Sequence, residues 1–245
     1  MTFLSAPSSR PQPGRQRRRL WPRLGLLAGL GALLLWASSL LVSLPSVSEL
    51  GPLMHRVQSQ SLPPVLSGAV VEHEDRRFYQ HGGLDLIGLL RASWSSLRGG
   101  GLQGGSTLTQ QLVKNTLLAD QHGARTFTRK LQEAWLAVQV ERQYSKPDIL
   151  RAYLSVAYWG SVGEQQVVGD QQAAQAYFGL RASQLDLAQS AYLATLLPAP
   201  ARAAHPAEVR PLVRVLLGQM VADGRATAAQ AAAATQELGR LPVLR

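Results

Sequence analysis

The sequence predicts one all-α domain behind a single N-terminal membrane helix. An uncharged run of 21 residues, Leu24 to Leu44, follows a cluster of arginines. Helical apolar spacing, with recurring caps and stop signals, then continues from Val65 to near the C-terminus. No segment alternates convincingly enough for a strand, and there is no internal repeat.

The anchor comes first in the chain. Residues 1–23 hold Arg10, Arg15, Arg17, Arg18, Arg19 and Arg23 and no acid, and read as a disordered basic tail. They carry six of the ten net positive charges, so the body of the chain is only mildly basic and nucleic acid is not expected as a partner. Residues 24–44 are long enough to span a bilayer core at about 1.5 Å per residue. The arginines before the run orient the N-terminus to the cytoplasm and the remainder outside the cytoplasmic membrane. A cleaved signal peptide would have a shorter apolar region ending in a small-x-small site, which this run lacks. The 245 residues contain no cysteine, which excludes disulfides and thiol chemistry, and at 46% hydrophobic and 16% charged the chain is too apolar to be disordered.

Residues 45–61, with Pro45, Gly51 and Pro52, read as a juxtamembrane linker, and 62–225 as the folded domain. Val65 to Phe78 and Leu84 to Leu97 have helical apolar spacing. Gly99 to Gly105 form a glycine-rich loop. Thr107 and Gln110 make a capping-box spacing. Thr126 to Gln143 is a long helix, and Ser145-Lys146-Pro147-Asp148 caps another that runs to about Tyr158. Gln171 to Phe178 ends at Gly179, and Ser183 with Asp186 precedes a helix ending at Pro198. Helices near 207–222 and 228–238 complete the chain; the last, in 226–245, reads as a C-terminal helix and tail.

Three clusters carry candidate chemistry. The first runs from Glu74-Asp75 through Phe78 and His81 to Asp85. In the second, Gly105-Ser106-Thr107 enters a helix bearing Gln110, Gln111, Lys114 and Asn115, and a glycine-rich loop before a helix is an expected anion site. Lys114 reads as lying near that helix's N-terminus, uphill for the dipole, which points to an anionic partner. The third, Arg129-Lys130-Leu131-Gln132-Glu133, pairs a carboxylate with two cations. Two separated carboxylates with cations between them suit glycosyl transfer: one takes a proton from a hydroxyl while the cations stabilise an anionic leaving group.

In order and spacing these clusters resemble the motifs of the peptidoglycan glycosyltransferases, glycosyltransferase family fifty-one, in its monofunctional membrane-anchored form. The first motif is met by Glu74, Asp75, Phe78, His81, Gly83 and Asp85, and the second in full from Gly105 to Asn115. The third is met by Arg129, Lys130, Glu133, Glu141, Ser145-Lys146, Ile149-Leu150, Tyr153-Leu154 and Gly160, and the fourth by Gly169, Ala173-Ala174 and Tyr177-Phe178-Gly179. The resemblance implies a lysozyme-like fold with a smaller membrane-proximal lobe. It also implies polymerisation of lipid II onto a growing glycan strand, with release of undecaprenyl diphosphate.

By the same resemblance, Glu74 is the general base. Lys114, Arg129 and Lys130 clamp the diphosphate, and Glu133 orients those cations or binds a divalent metal, Mg or Mn. Asp75, Phe78, His81, Ser106, Gln111 and Asn115 are substrate contacts, and other cell-wall synthases are implied partners. The chain departs from the family at Arg151, Ser155, Gln171, Leu180 and Gln189, and the fifth-motif arginine falls on Arg210 or Arg214. Two other readings are a glycan-cleaving enzyme, which has no need of a diphosphate clamp, and a degenerate non-catalytic scaffold, against which the retention of Glu74 and Glu133 counts.

Overall fold

A computed structural model describes residues 27–29, 31, 44–90, 105–121, 126–239 and 241. The chain divides into two compact units, 1–44 and 45–245. In the first, residues 27–29 and 31 are helical, and nearly all of the expected membrane helix lies outside the described residues. Among the described residues no helix is long and apolar enough to cross a membrane.

The second unit is mostly helical and begins inside the segment expected to be a linker. Ser46 and Glu49 close a capping box over a 3-10 turn, Val47–Leu50, which leads into α1 (Gly51–Gln58). Val47, Leu50, Met54 and Val57 are all buried, and α1 packs on α5 (Lys146–Val156). This corrects the linker expectation. Pro52 sits in the first turn, where the missing N–H costs nothing, and the 3–4–3 spacing of the four apolar residues is a helical stripe.

α2 (Pro64–Glu74) buries Leu66, Ala69, Val70 and Val71. Its last residue, Glu74, comes four residues before the expected end, where Asp75 breaks the helix with φ −155° and ψ 69°; Phe78 lies in a separate 3-10 turn, Phe78–Gln80. Residues 86–90 are helical, and the rest of the expected Leu84–Leu97 helix, with most of the glycine-rich loop, lies outside the described residues.

α3 (Leu108–Asn115) and α5 start at the predicted caps Thr107 and Ser145, and α4 (Phe127–Gln143) is capped by Thr126, which was expected inside the helix. An antiparallel hairpin follows, β1 (Tyr158–Val162) and β2 (Gln165–Val168), where no strand was expected. The strands have only five and four residues, and an irregularity between Tyr158 and Ser161 breaks the period-two signal. Gly160 sits there at φ 106°, and a Cβ would meet Tyr177 Oη at 3.0 Å.

α6 (Asp170–Phe178) stops at Gly179, as expected. α7 (Leu187–Leu196) is capped by Asp186 with Gln189 and is almost wholly buried; α2, α8 (Pro206–Ala222) and α9 (Ala228–Glu237) pack against it. Burial of Ala234 and Leu238 makes α9 part of this core rather than a tail.

Candidate active site

A cleft of about 1230 Å³ is lined by the end of α2, by α3 and α4, and by α8 with the 3-10 turn Pro200–Ala204. Glu74, the last residue of α2, lines it. Its Oε2 accepts a 2.7 Å hydrogen bond from Gln111 Nε2, while Oε1 is buried with no hydrogen-bond partner. Burial pushes the carboxyl above its ordinary value; the Gln111 bond opposes the rise and neighbouring Asp75 adds to it. The Gln111 amide is in turn fixed by Tyr153 Oη, which donates to its Oε1 at 3.0 Å.

Asp75 also lines the cleft, and its carboxylate is engaged inward. It faces His81 Nε2 at 2.9 and 3.0 Å and accepts the Leu108 backbone N–H at 3.0 Å. That N–H belongs to the first turn of α3. Thr107 N–H is taken by Gln110 Oε1, and Gln110 N–H by Thr107 Oγ1. The anion at this helix N-terminus is therefore the protein's own Asp75, which corrects the expectation of an external anion there. Phe78 is fully buried with Lys146 Nζ 4.2 Å over its ring. Phe78 and His81 do not line the cleft, so their expected part in substrate binding is indirect, through Asp75 and the placement of α3.

On α4, Arg129 Nε and Lys130 Nζ lie 3.1 and 2.9 Å from the two oxygens of Glu133, which is 5% exposed. Lys130 Nζ also donates to Ser106 Oγ at 2.8 Å. Lys114 lines the cleft, exposed and without an acidic partner among the described residues. It stands in the last turn of α3, because the helix ends at Asn115. The dipole favours a cation there, so the uphill argument for an anionic partner is withdrawn. What marks Lys114 is its unpaired charge in the cleft. Asn115, one residue on, does not line it.

A family model described as transglycosylase matches residues 49–221. The chain belongs to that peptidoglycan transglycosylase family. It is 36% identical over 205 residues to a monofunctional glycosyltransferase of Staphylococcus haemolyticus, covering 79% of this chain and 73% of that one. It is 40% identical over 177 residues to penicillin-binding protein 1A of Streptococcus oralis, covering 71% of this chain but only 27% of that protein. It is 42% identical over 142 residues to penicillin-binding protein 1B of Haemophilus influenzae, 58% of this chain and 18% of that protein. The activity is thus peptidoglycan glycosyl transfer.

Several departures from the family pattern find local partners in this transglycosylase. Arg151 pairs with Asp148 at 2.8 Å, and Ser155 Oγ donates to Ala152 O. Gln189 serves the α7 capping box, and Gln171 Oε1 accepts Ala182 N–H. Leu180 is half-buried beyond the end of α6, and none of the five residues lines the cleft. Neither Arg210 nor Arg214 lines the cleft; Arg202 does, and with burial it pushes His73 below its ordinary value.

Glu133 does not suit a metal. Both its oxygens face cations, and no three His, Asp or Glu side chains converge on an ion site among the described residues. Its role as organiser of Arg129 and Lys130 fits the geometry instead.

Sequence reasoning missed the Tyr153–Gln111–Glu74 chain, although Tyr153 stood among the motif residues. It also missed a cluster at the end of α2, where buried Glu72 pairs with Arg76 at 3.3 Å and with Arg225 at 2.8 Å while Arg76 pairs with Asp223. Nothing local in sequence announces a partnership between residues about 150 positions apart.

Proposed function

We propose that this transglycosylase polymerises lipid II into glycan strands by inverting transfer. The Glu74 carboxylate takes the proton of the acceptor 4-hydroxyl. That oxygen bonds to the anomeric carbon of the donor strand, and the anomeric carbon–phosphate oxygen bond breaks to release undecaprenyl diphosphate. Lys114 and Lys130, with Arg129 behind them, stabilise the charge that develops on the departing diphosphate. Ser106, Gln111 and Asp75 shape the site around the reacting groups.

The observation that carries this reading is the presence in one cleft of Lys114 and Glu74, where among the described residues Lys114 has no acidic partner and no cation pairs with the partly buried Glu74 carboxylate. A carboxylate held above its ordinary value is a better proton acceptor than a solvated one. We further propose that 24–44 is a retained single-pass anchor of the cytoplasmic membrane, with the N-terminus inside and the catalytic domain outside, alongside other cell-wall synthases. Both substrates are lipid-linked, and an anchor holds the enzyme at their surface.

The test is polymerisation of lipid II by the purified chain, read as glycan product and released undecaprenyl diphosphate. Product lost in Glu74→Gln at an unchanged fold is expected; polymer at the wild-type rate from that variant would remove Glu74 from the role of base.

A further inference from the structure

We infer that Tyr153 is a positioning residue for the transfer: its buried hydroxyl, donated to Gln111 Oε1, locks the amide with its NH2 group toward Glu74. The three side chains come from three helices, α2, α3 and α5. Tyr153 is 1% exposed and does not line the cleft, so it touches no substrate and acts through Gln111.

A primary amide has an acceptor end and a donor end of nearly the same shape. Turned over, Gln111 would set its oxygen against the Glu74 carboxylate, acceptor against acceptor. The ionised Glu74 carboxylate only accepts and so takes the NH2 end, and the Tyr153 O–H at 3.0 Å pins the oxygen end at the distance and angle that aim the NH2 group at Glu74. Burial pushes the Tyr153 phenol well above its ordinary value, with Glu74 adding to the rise, so it stays a donor across the working pH range.

The groups facing Glu74 are Asp75 beside it and Tyr153 behind Gln111. Lining the same cleft are Glu72 and His73 on its own helix, Arg76, Arg77 and Asp85 just after it, Lys114 from α3, Arg129, Lys130 and Glu133 from α4, and Arg202 from the Pro200–Ala204 turn. Of these surroundings, the Gln111 bond is the one that holds the ionised Glu74 by hydrogen bonding. Weakening it raises the pH needed to keep the base free.

The inference rests on Glu74 being the base. It is tested on the full chain with lipid II, following kcat/KM against pH for the wild type, Tyr153→Phe, Gln111→Met, the double variant and Glu74→Gln. Tyr153→Phe is expected to move the acid limb up by about 0.5–1 pH unit, the scale of one hydrogen bond. This is a loss of about 3- to 10-fold below the limb that recovers above it. Gln111→Met, which removes the bond that Tyr153→Phe only weakens, gives a displacement at least as large, and the double variant moves the limb no further than Gln111→Met alone.

Should Tyr153→Phe fold poorly, 3-fluorotyrosine placed at 153 keeps the shape and strengthens the donor, and the limb moves down. A limb that stays put in these variants, or single effects that add, overturns the positioning role while Glu74→Gln remains inactive. An active Glu74→Gln instead overturns the assignment of the base itself.

Discussion

Glu74 and Glu133 line one cleft, and their surroundings give them different work. Glu133 sits in the second turn of α4 with a cation on each oxygen. Glu74 ends α2 with one neutral amide on Oε2 and nothing on Oε1. A carboxylate with a cation on each oxygen serves to anchor those cations; one that is desolvated and faces a neutral amide is left to take a proton. The residue type is the same, and the partners decide the role.

The largest expected effect comes from removing the basicity of the Glu74 carboxylate. Glu74→Gln should lower lipid II turnover by about 10²–10⁴-fold, with the fold intact by circular dichroism. Next is Lys114→Ala, which takes away the unpaired cation. Turnover should fall by about 10²-fold with the melting temperature unchanged; a fall in melting temperature at full turnover per folded molecule would make Lys114 structural.

Glu133→Gln should act differently, because it removes a buried carboxylate that pairs with both Arg129 and Lys130. Breaking such a pair typically costs about 3–5 kcal/mol, so thermal melting should show a clear loss along with the loss of rate.

Glu74 also leaves a signature on stability. Its folded value is raised, so between the ordinary carboxylate value and the raised one the folded protein holds more protons than the unfolded chain. Stability contributed at this site therefore declines as pH rises through that window. Glu74→Gln should melt slightly higher than wild type at neutral pH, and the difference should vanish in acid. No difference at neutral pH would mean the carboxylate is not strained by burial.

The smallest effect on chemistry is expected from deleting residues 1–44. Turnover should survive in detergent and drop in lipid vesicles, where tethering matters. Loss in detergent as well would make the segment more than a tether.

Much of this comparison was legible in the chain. The caps Thr107 and Ser145 start helices because each side chain answers a backbone donor within three residues; Thr126, read as the first helical residue, and Asp186, read as the partner of Ser183, do the same, each as a cap where another role was expected. The Arg129-Lys130-Glu133 cluster was legible for the same reason: its partners are one helical turn apart.

What escaped depends on distant partners or broken periods. Asp75 caps a helix 33 residues away, and Gln111 reaches Glu74 across 37. The hairpin hides behind its irregularity. Lys114 changed ends because α3 stops after eight residues, a length its apolar spacing does not announce.

The contrast between the two carboxylates is tested most directly by kcat/KM for lipid II against pH, with wild type, Glu74→Gln and Glu133→Gln side by side at equal folded concentration. The expected result is an acid limb in the wild type lying above the ordinary carboxylate range. Glu133→Gln should keep that limb at a reduced rate, whereas Glu74→Gln should have a residual rate without it. A limb that persists in Glu74→Gln and disappears in Glu133→Gln would exchange the two roles and contradict the assignment.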